Sequence, residues 1–184
     1  MSFRIGIILN KDIDEKALDI IRKKYNIGLI KFSNKYIQRQ IEESEQFFQF
    51  SQYGDDSDYG IGAYDIYTKD LNFIYDNEEL SEKEKSCLIE DIRRWRTSYK
   101  KTAEELINII KDLLSIKGTN RIGIFHFNGY STSDDVKVHK LDKEICNIKD
   151  MNIEYIMKIE ENTLVYFSNT EISRKITPDI NMSW

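Results

Sequence analysis

The chain has 184 residues, a net charge of −5, 40% hydrophobic residues and 32% charged ones. That fits one globular domain, and with 12% aromatics it excludes the disordered and low-complexity classes. No run approaches the roughly 18 consecutive apolar residues of a membrane helix, and Asn10-Lys11-Asp12 turns polar too early for a secretory signal.

Cys87 and Cys146 have neither CxxC spacing nor a disulfide-framework count, so a reducing, cytoplasmic setting is expected. Ile, Asn, Lys, Glu and Asp dominate, and 19 of the 27 basic residues are Lys. This usage points to an AT-rich bacterial gene and weakens arguments built on single Lys or Asn residues.

Phe3 to Leu9 is a short, nearly continuous apolar run, the pattern of a central strand buried on both faces. Asp12 or Asp14 is placed to cap a helix carrying Ala17, Leu18, Ile21 and Tyr25, and Ile27 to Phe32 follows as a second strand. So short a crossover predicts that the two strands pair in parallel. Ser33 is the expected N-cap of a helix with Tyr36, Ile37, Ile41, Phe47 and Phe48 near one stripe. Gly54 to Gly62 reads as a loop, and Ala63 to Tyr67 with Leu71 to Tyr75 as a hairpin.

Ser81-x-x-Glu84 is a capping box, and behind it Leu88, Ile92, Trp95, Tyr99, Ala103, Leu106, Ile110 and Leu113 recur at helical spacing. A helix over 81–116 would run roughly 50 Å, longer than a compact domain of this size, so it either spans the molecule or breaks near Thr97 to Thr102. Arg121 to Phe127 is a second buried-strand run. Its Arg-Ile-Gly-Ile core repeats Arg4 to Ile7 with nothing similar around it. Val136 to His139, Ile153 to Ile159 and Thr163 to Ser168 complete the expected strands, the last two as a hairpin through Glu160-Glu161-Asn162. The expected whole is an α/β or α+β domain over 1–168, with a mixed sheet of about six to eight strands, packed helices including that of 81–116, and a tail at 169–184.

Metal and cofactor chemistry find no motif. Two distant Cys and two His give neither HExxH nor paired CxxC, so no metal is expected. The turn after the first strand lacks GxGxxG and a Walker lysine, so no nucleotide cofactor is expected either. Asp55-Asp56-Ser57-Asp58-Tyr59-Gly60 lacks the bidentate acid of an EF-hand. Gly129-Tyr130-Ser131-Thr132-Ser133 follows a strand as a nucleophile elbow does, with Asp134, Asp135 and His139 downstream, but the second glycine is missing and no helix pattern follows. His126 lies near a strand end, where α/β proteins place ligands, yet has no identifiable partner acid. An alternative enzyme or small-ligand site therefore centres on His126 and the Gly129 to Asp135 loop, with Ser131 and Asp134 in it.

Charge is the stronger signal. Residues 42–84 hold thirteen acids against Lys69 and Lys83, a balance of −11, which leaves the rest of the chain at +6. Tyr53, Tyr59, Tyr64, Tyr67 and Tyr75 are interleaved with those acids. Arg93-Arg94-Trp95-Arg96 with Lys100 and Lys101 fans around a helix beside Glu90 and Asp91, too discontinuous for nucleic acid. The expected function is that of a non-catalytic bacterial protein of the immunity-protein type, neutralising a basic partner, by analogy of class alone. The carboxylates Asp55, Asp56, Asp58, Glu78 and Glu79 would attract it, and Tyr59 and Tyr64 would anchor in it.

Overall fold

The computed structural model describes residues 3–31, 33–52, 71–128, 140–160 and 162–169; at 3, 4, 51, 52, 95, 96, 98, 99, 127 and 128 only the backbone is described. In chain order the elements are β1 (Phe3–Asn10), α1 (Glu15–Tyr25), β2 (Ile27–Lys31), α2 (Lys35–Gln38), β3 (Glu45–Gln52), α3 (71–76), α4 (Glu82–Ser115), β4 (Arg121–Asn128), β5 (Asp142–Asn147), α5 (Ile153–Met157) and β6 (Thr163–Ser168). They form one six-stranded mixed sheet, ordered β2-β3-β1-β4-β6-β5, with helices packed on it. Every neighbouring pair is antiparallel except β5 and β6. Among the described residues no helix is long and apolar enough to cross a membrane.

β1 and β2 do run in the same direction, but they are not neighbours as expected. β3 lies between them, antiparallel to both. Its Phe47 and Phe48, read as part of a helical stripe, instead point to opposite faces of a strand buried on both sides. A doubly buried strand places bulky residues side by side, and following Ile37 and Ile41 they mimic helical spacing. The helix before it shrinks to one turn, capped by Asn34 and not Ser33: the Asn34 side chain accepts from the Tyr36 and Ile37 amides at 2.9 and 3.1 Å.

Three further expectations change. Leu71 to Tyr75 is helical, with Leu71 and Ile74 one turn apart facing α4. Ile153 to Ile159 is not a strand, because Asn152 caps α5 by accepting from the Tyr155 amide at 2.9 Å and Ile156 and Met157 are buried. The turn at Asn162, with a left-handed φ of 67°, therefore joins a helix to β6. The parallel β5–α5–β6 unit went unread, since β5 is an edge strand whose first four residues are exposed and mostly charged. Ala63 to Tyr67, Val136 to His139 and the tail beyond 169 lie outside the described residues. α4 itself runs unbroken from Glu82 to Ser115.

The two faces of the sheet are covered unequally. Ile5, Ile7, Leu9, Phe48, Phe50, Ile122, Ile124, Val165 and Phe167 meet α1, α5 and the second half of α4 in the larger cluster. Asp112 of α4 accepts from Lys24 at 2.6 Å and from Tyr25 at 2.8 Å, fastening α1 to that half. The other face holds Ile8, Phe47, Phe125, Leu164 and Tyr166 under Ile37, Ile41 and Leu141.

The repeated Arg-Ile-Gly-Ile acquires a physical reason on this second face. Antiparallel register sets Gly6 opposite Phe125 and Gly123 opposite Ile8, so each glycine leaves room for the large residue of its neighbour. A Cβ at Gly6 would overlap the Phe125 and Phe47 rings, and one at Gly123 would lie 2.9 Å from Ile8 and Leu164. The Phe47 and Phe125 rings pack over the gap with centroids 5.2 Å apart.

Candidate interaction surface

The start of α4 is fixed by its own sequence. Ser81 Oγ accepts from the Glu84 amide, while the Ser81 amide donates to the Glu84 carboxylate at 2.9 Å and the Ser81 hydroxyl at 2.6 Å. These bonds from the Ser81 side chain and backbone lower the Glu84 carboxyl below its ordinary range. Ahead of it, α3 and the turn at 77–80 fold back on the helix through a small cluster of Ile74 and Ile92 with Leu71, Leu80 and Ile89 around them. Lys85 bridges the two pieces, its ammonium 3.3 Å from the Tyr75 carbonyl and 3.8 Å from Glu82.

This arrangement turns aromatics outward. Phe73 is 69% exposed and Tyr75 56%. Asp76, Glu78 and Glu79 follow immediately, all exposed, and the Glu79 amide is held by the Asn77 side chain at 2.9 Å. A groove of about 580 Å³ runs between Tyr75 and α4, lined also by Glu82, Lys85, Ile89, Glu90 and Arg93. Glu78 and Glu79 thus stand on a solvent-facing turn that follows the two exposed rings in the chain, Tyr75 on the groove and Phe73, two positions earlier on α3, turned away from it. Phe73 had no signal of its own in the sequence, where Leu71 to Tyr75 reads as one strand of a hairpin. Asp55, Asp56, Asp58, Tyr59 and Tyr64 lie outside the described residues.

Not all acids of the negative segment belong to this surface. Glu45 is buried, and Glu42 joins it around Arg121. Arg121 Nε donates to Glu45 at 2.9 Å, and its terminal nitrogen lies 2.8 Å from Glu45 and 2.5 Å from Glu42. The other Glu45 oxygen accepts from Tyr166 Oη at 2.8 Å and from the Glu42 amide at 3.0 Å. The guanidinium also lies over the Tyr166 ring, 4.4 Å from its centroid. Burial works against the Arg121 charge, but Glu42 and Glu45 outweigh it and raise its pKa; burial and Glu45 push Tyr166 upward as well. Sequence reading missed this cluster because Glu45 and Arg121 are 76 positions apart and meet only through the sheet.

His126 is buried opposite Ile5, on the face covered by the helices. Burial lowers its pKa to about 4, partly offset by a hydrogen bond to the Ile159 backbone, so the ring is neutral near pH 7. Nε2 has no hydrogen-bond partner among the described residues. A buried neutral ring bonded to a backbone carbonyl is the ordinary structural use of a strand histidine, and no carboxylate contributes to its shift. Ser131 and Asp134 lie outside the described residues. Among those described, no group of three or more His, Cys, Asp or Glu is placed to hold a metal. Cys146 is buried and burial raises its thiol pKa, which leaves it a poor nucleophile, whereas Cys87 is exposed on α4.

No protein-family model, curated protein or solved structure matches the chain.

Proposed function

We propose that the protein is a non-catalytic, cytoplasmic binding protein of the immunity-protein type, which neutralises a basic protein partner by covering its cationic cleft. The observation that carries this reading is the exposure of Phe73 and Tyr75 within a few positions of the exposed Asp76, Glu78 and Glu79 in the chain. Exposed aromatic rings supply contact area at low entropic cost, and neighbouring carboxylates steer a cationic surface toward them. Phe73 and Tyr75 join Tyr59 and Tyr64 as anchors, and Asp55, Asp56 and Asp58 extend the acidic stretch.

The test is association kinetics with the product of the gene immediately upstream. Replacing Asp55, Asp56 and Asp58 with Asn, or Glu78 and Glu79 with Gln, is expected to slow association and flatten its salt dependence. Tyr75→Ala is expected to act on dissociation instead. Unchanged rates in all three variants would end the reading.

A further inference from the structure

We propose that the groove flank of α4 is a homodimer interface, on which two copies pack antiparallel with the acidic start of each helix against the basic stretch of the other. Residues 76–91 contain seven acids and two bases, whereas residues 93–101 contain five bases and no acid. Glu82 and Lys100 are 18 positions apart, about five full turns, and therefore share one azimuth, with Arg93 and Ile89 close to it. Glu82, Ile89, Glu90 and Arg93 already line one groove. A two-fold axis near position 91 would bring Glu82 beside Lys100 of the partner subunit and Glu90 beside the partner's Arg93, with Ile89 and Tyr75 as the apolar centre.

The flank is available for this. Between 82 and 101, Ile92 is the one buried side chain among those described. No ion pair among the described residues takes Glu90, Arg93 or Lys100, and the contact of Arg94 with Asp91 is long, at 3.9 Å. A second copy fits better than a basic partner, because a charge reversal along one helix is self-complementary under a two-fold axis. A uniformly basic occupant would meet like charge from 93 to 101. The pairing covers about 30 Å of helix, toward the small end of specific interfaces, so the dimer is weak and salt-sensitive. The pairing shares Tyr75 with the partner-binding reading, but Glu78 and Glu79 lie outside it, so charge-swapped variants test it apart from that reading.

Charge-swapped variants test it. Glu82→Lys with Glu90→Lys makes the flank basic, and Arg93→Glu with Lys100→Glu makes it acidic. Sedimentation equilibrium of the full chain at low ionic strength is expected to show a dimer for the native protein and self-association weakened at least about tenfold in each variant alone. Mixing the two variants is expected to restore a heterodimer, with unchanged helicity by circular dichroism showing that each is folded. A native protein that stays monomeric across the micromolar range overturns the proposal. So do variants that dimerise as the native chain does, a folded pair that fails to associate on mixing, or a monomer that binds polylysine through Glu82 and Glu90.

Discussion

Ile92 and Ile110 are the same side chain on the same helix, about five turns apart and on the same azimuth, yet they live in different surroundings. Ile110 is fully buried among Leu106, Ile107, Leu113 and the sheet. Ile92, 7% exposed, meets Ile74 and three partly buried neighbours. One half of α4 is therefore held by the domain core. The other is held by its capping box, its propensity and a satellite cluster, which are weaker restraints individually. The contrast teaches that regular helical periodicity predicts the element but not what holds it, and that the loosely held half is the one with surface left to offer.

The largest expected effects lie on the anchored side. Glu45→Ala removes the carboxylate that satisfies Arg121, Tyr166 and the Glu42 amide at once, leaving a half-buried guanidinium with Glu42 alone. Breaking such a pair from one side is expected to cost about 3 to 5 kcal/mol, read as a lower urea midpoint at unchanged slope. Buried Ile→Ala changes cost about 2 to 5 kcal/mol, and in the same experiment Ile110→Ala is expected toward the upper end and Ile92→Ala, in its small satellite cluster, at the lower end. Equal losses at the two isoleucines would erase the distinction between the halves.

What the sequence made legible follows the same division. β1, α1, β4, β6 and α4 were readable because each buries a run or stripe in its own local pattern, and α4 announced its start through Ser81 and Glu84. β3 was hidden because adjacent Phe47 and Phe48 serve two faces, and β5 because an exposed edge strand needs no apolar pattern. Glu78 and Glu79 were identifiable from charge alone, whereas the exposure of Phe73 depends on α3 being helical, which Leu71-Asn72-Phe73-Ile74-Tyr75 does not reveal. The Arg121 cluster had no local trace, since the antiparallel register assembles it.

The next effect concerns His126, five residues beyond Arg121 along β4. Its folded pKa, about 4, lies below the ordinary 6.5, so the unfolded chain takes up a proton as pH falls through 6.5 while the folded chain does not. Stability present above pH 6.5 is therefore lost progressively as pH falls toward 4, by up to about 3 kcal/mol at 1.4 kcal/mol per pKa unit. Denaturant unfolding at pH 7 and pH 5 measures the slope above the range of ordinary carboxylates. His126→Leu should flatten it, and an unchanged slope would assign the pH dependence elsewhere.

The smallest effect isolates the loosely held half. Ser81→Ala deletes the side-chain half of the capping box, and the Glu84 carboxyl, which its bonds to Ser81 hold low, should move back toward the ordinary carboxylate value in an NMR titration. If residues 82–92 open without disturbing the core, the lost cap appears locally, as amide exchange roughly fivefold faster in the first turns of α4. Exchange at Leu106 to Leu114, which sit in the main core, should not change, because those amides open only with the whole domain. A uniform acceleration from Glu82 to Ser115 would mean that α4 opens as one cooperative rod, and that its exposed flank is as rigid a platform as the half beneath which the sheet lies.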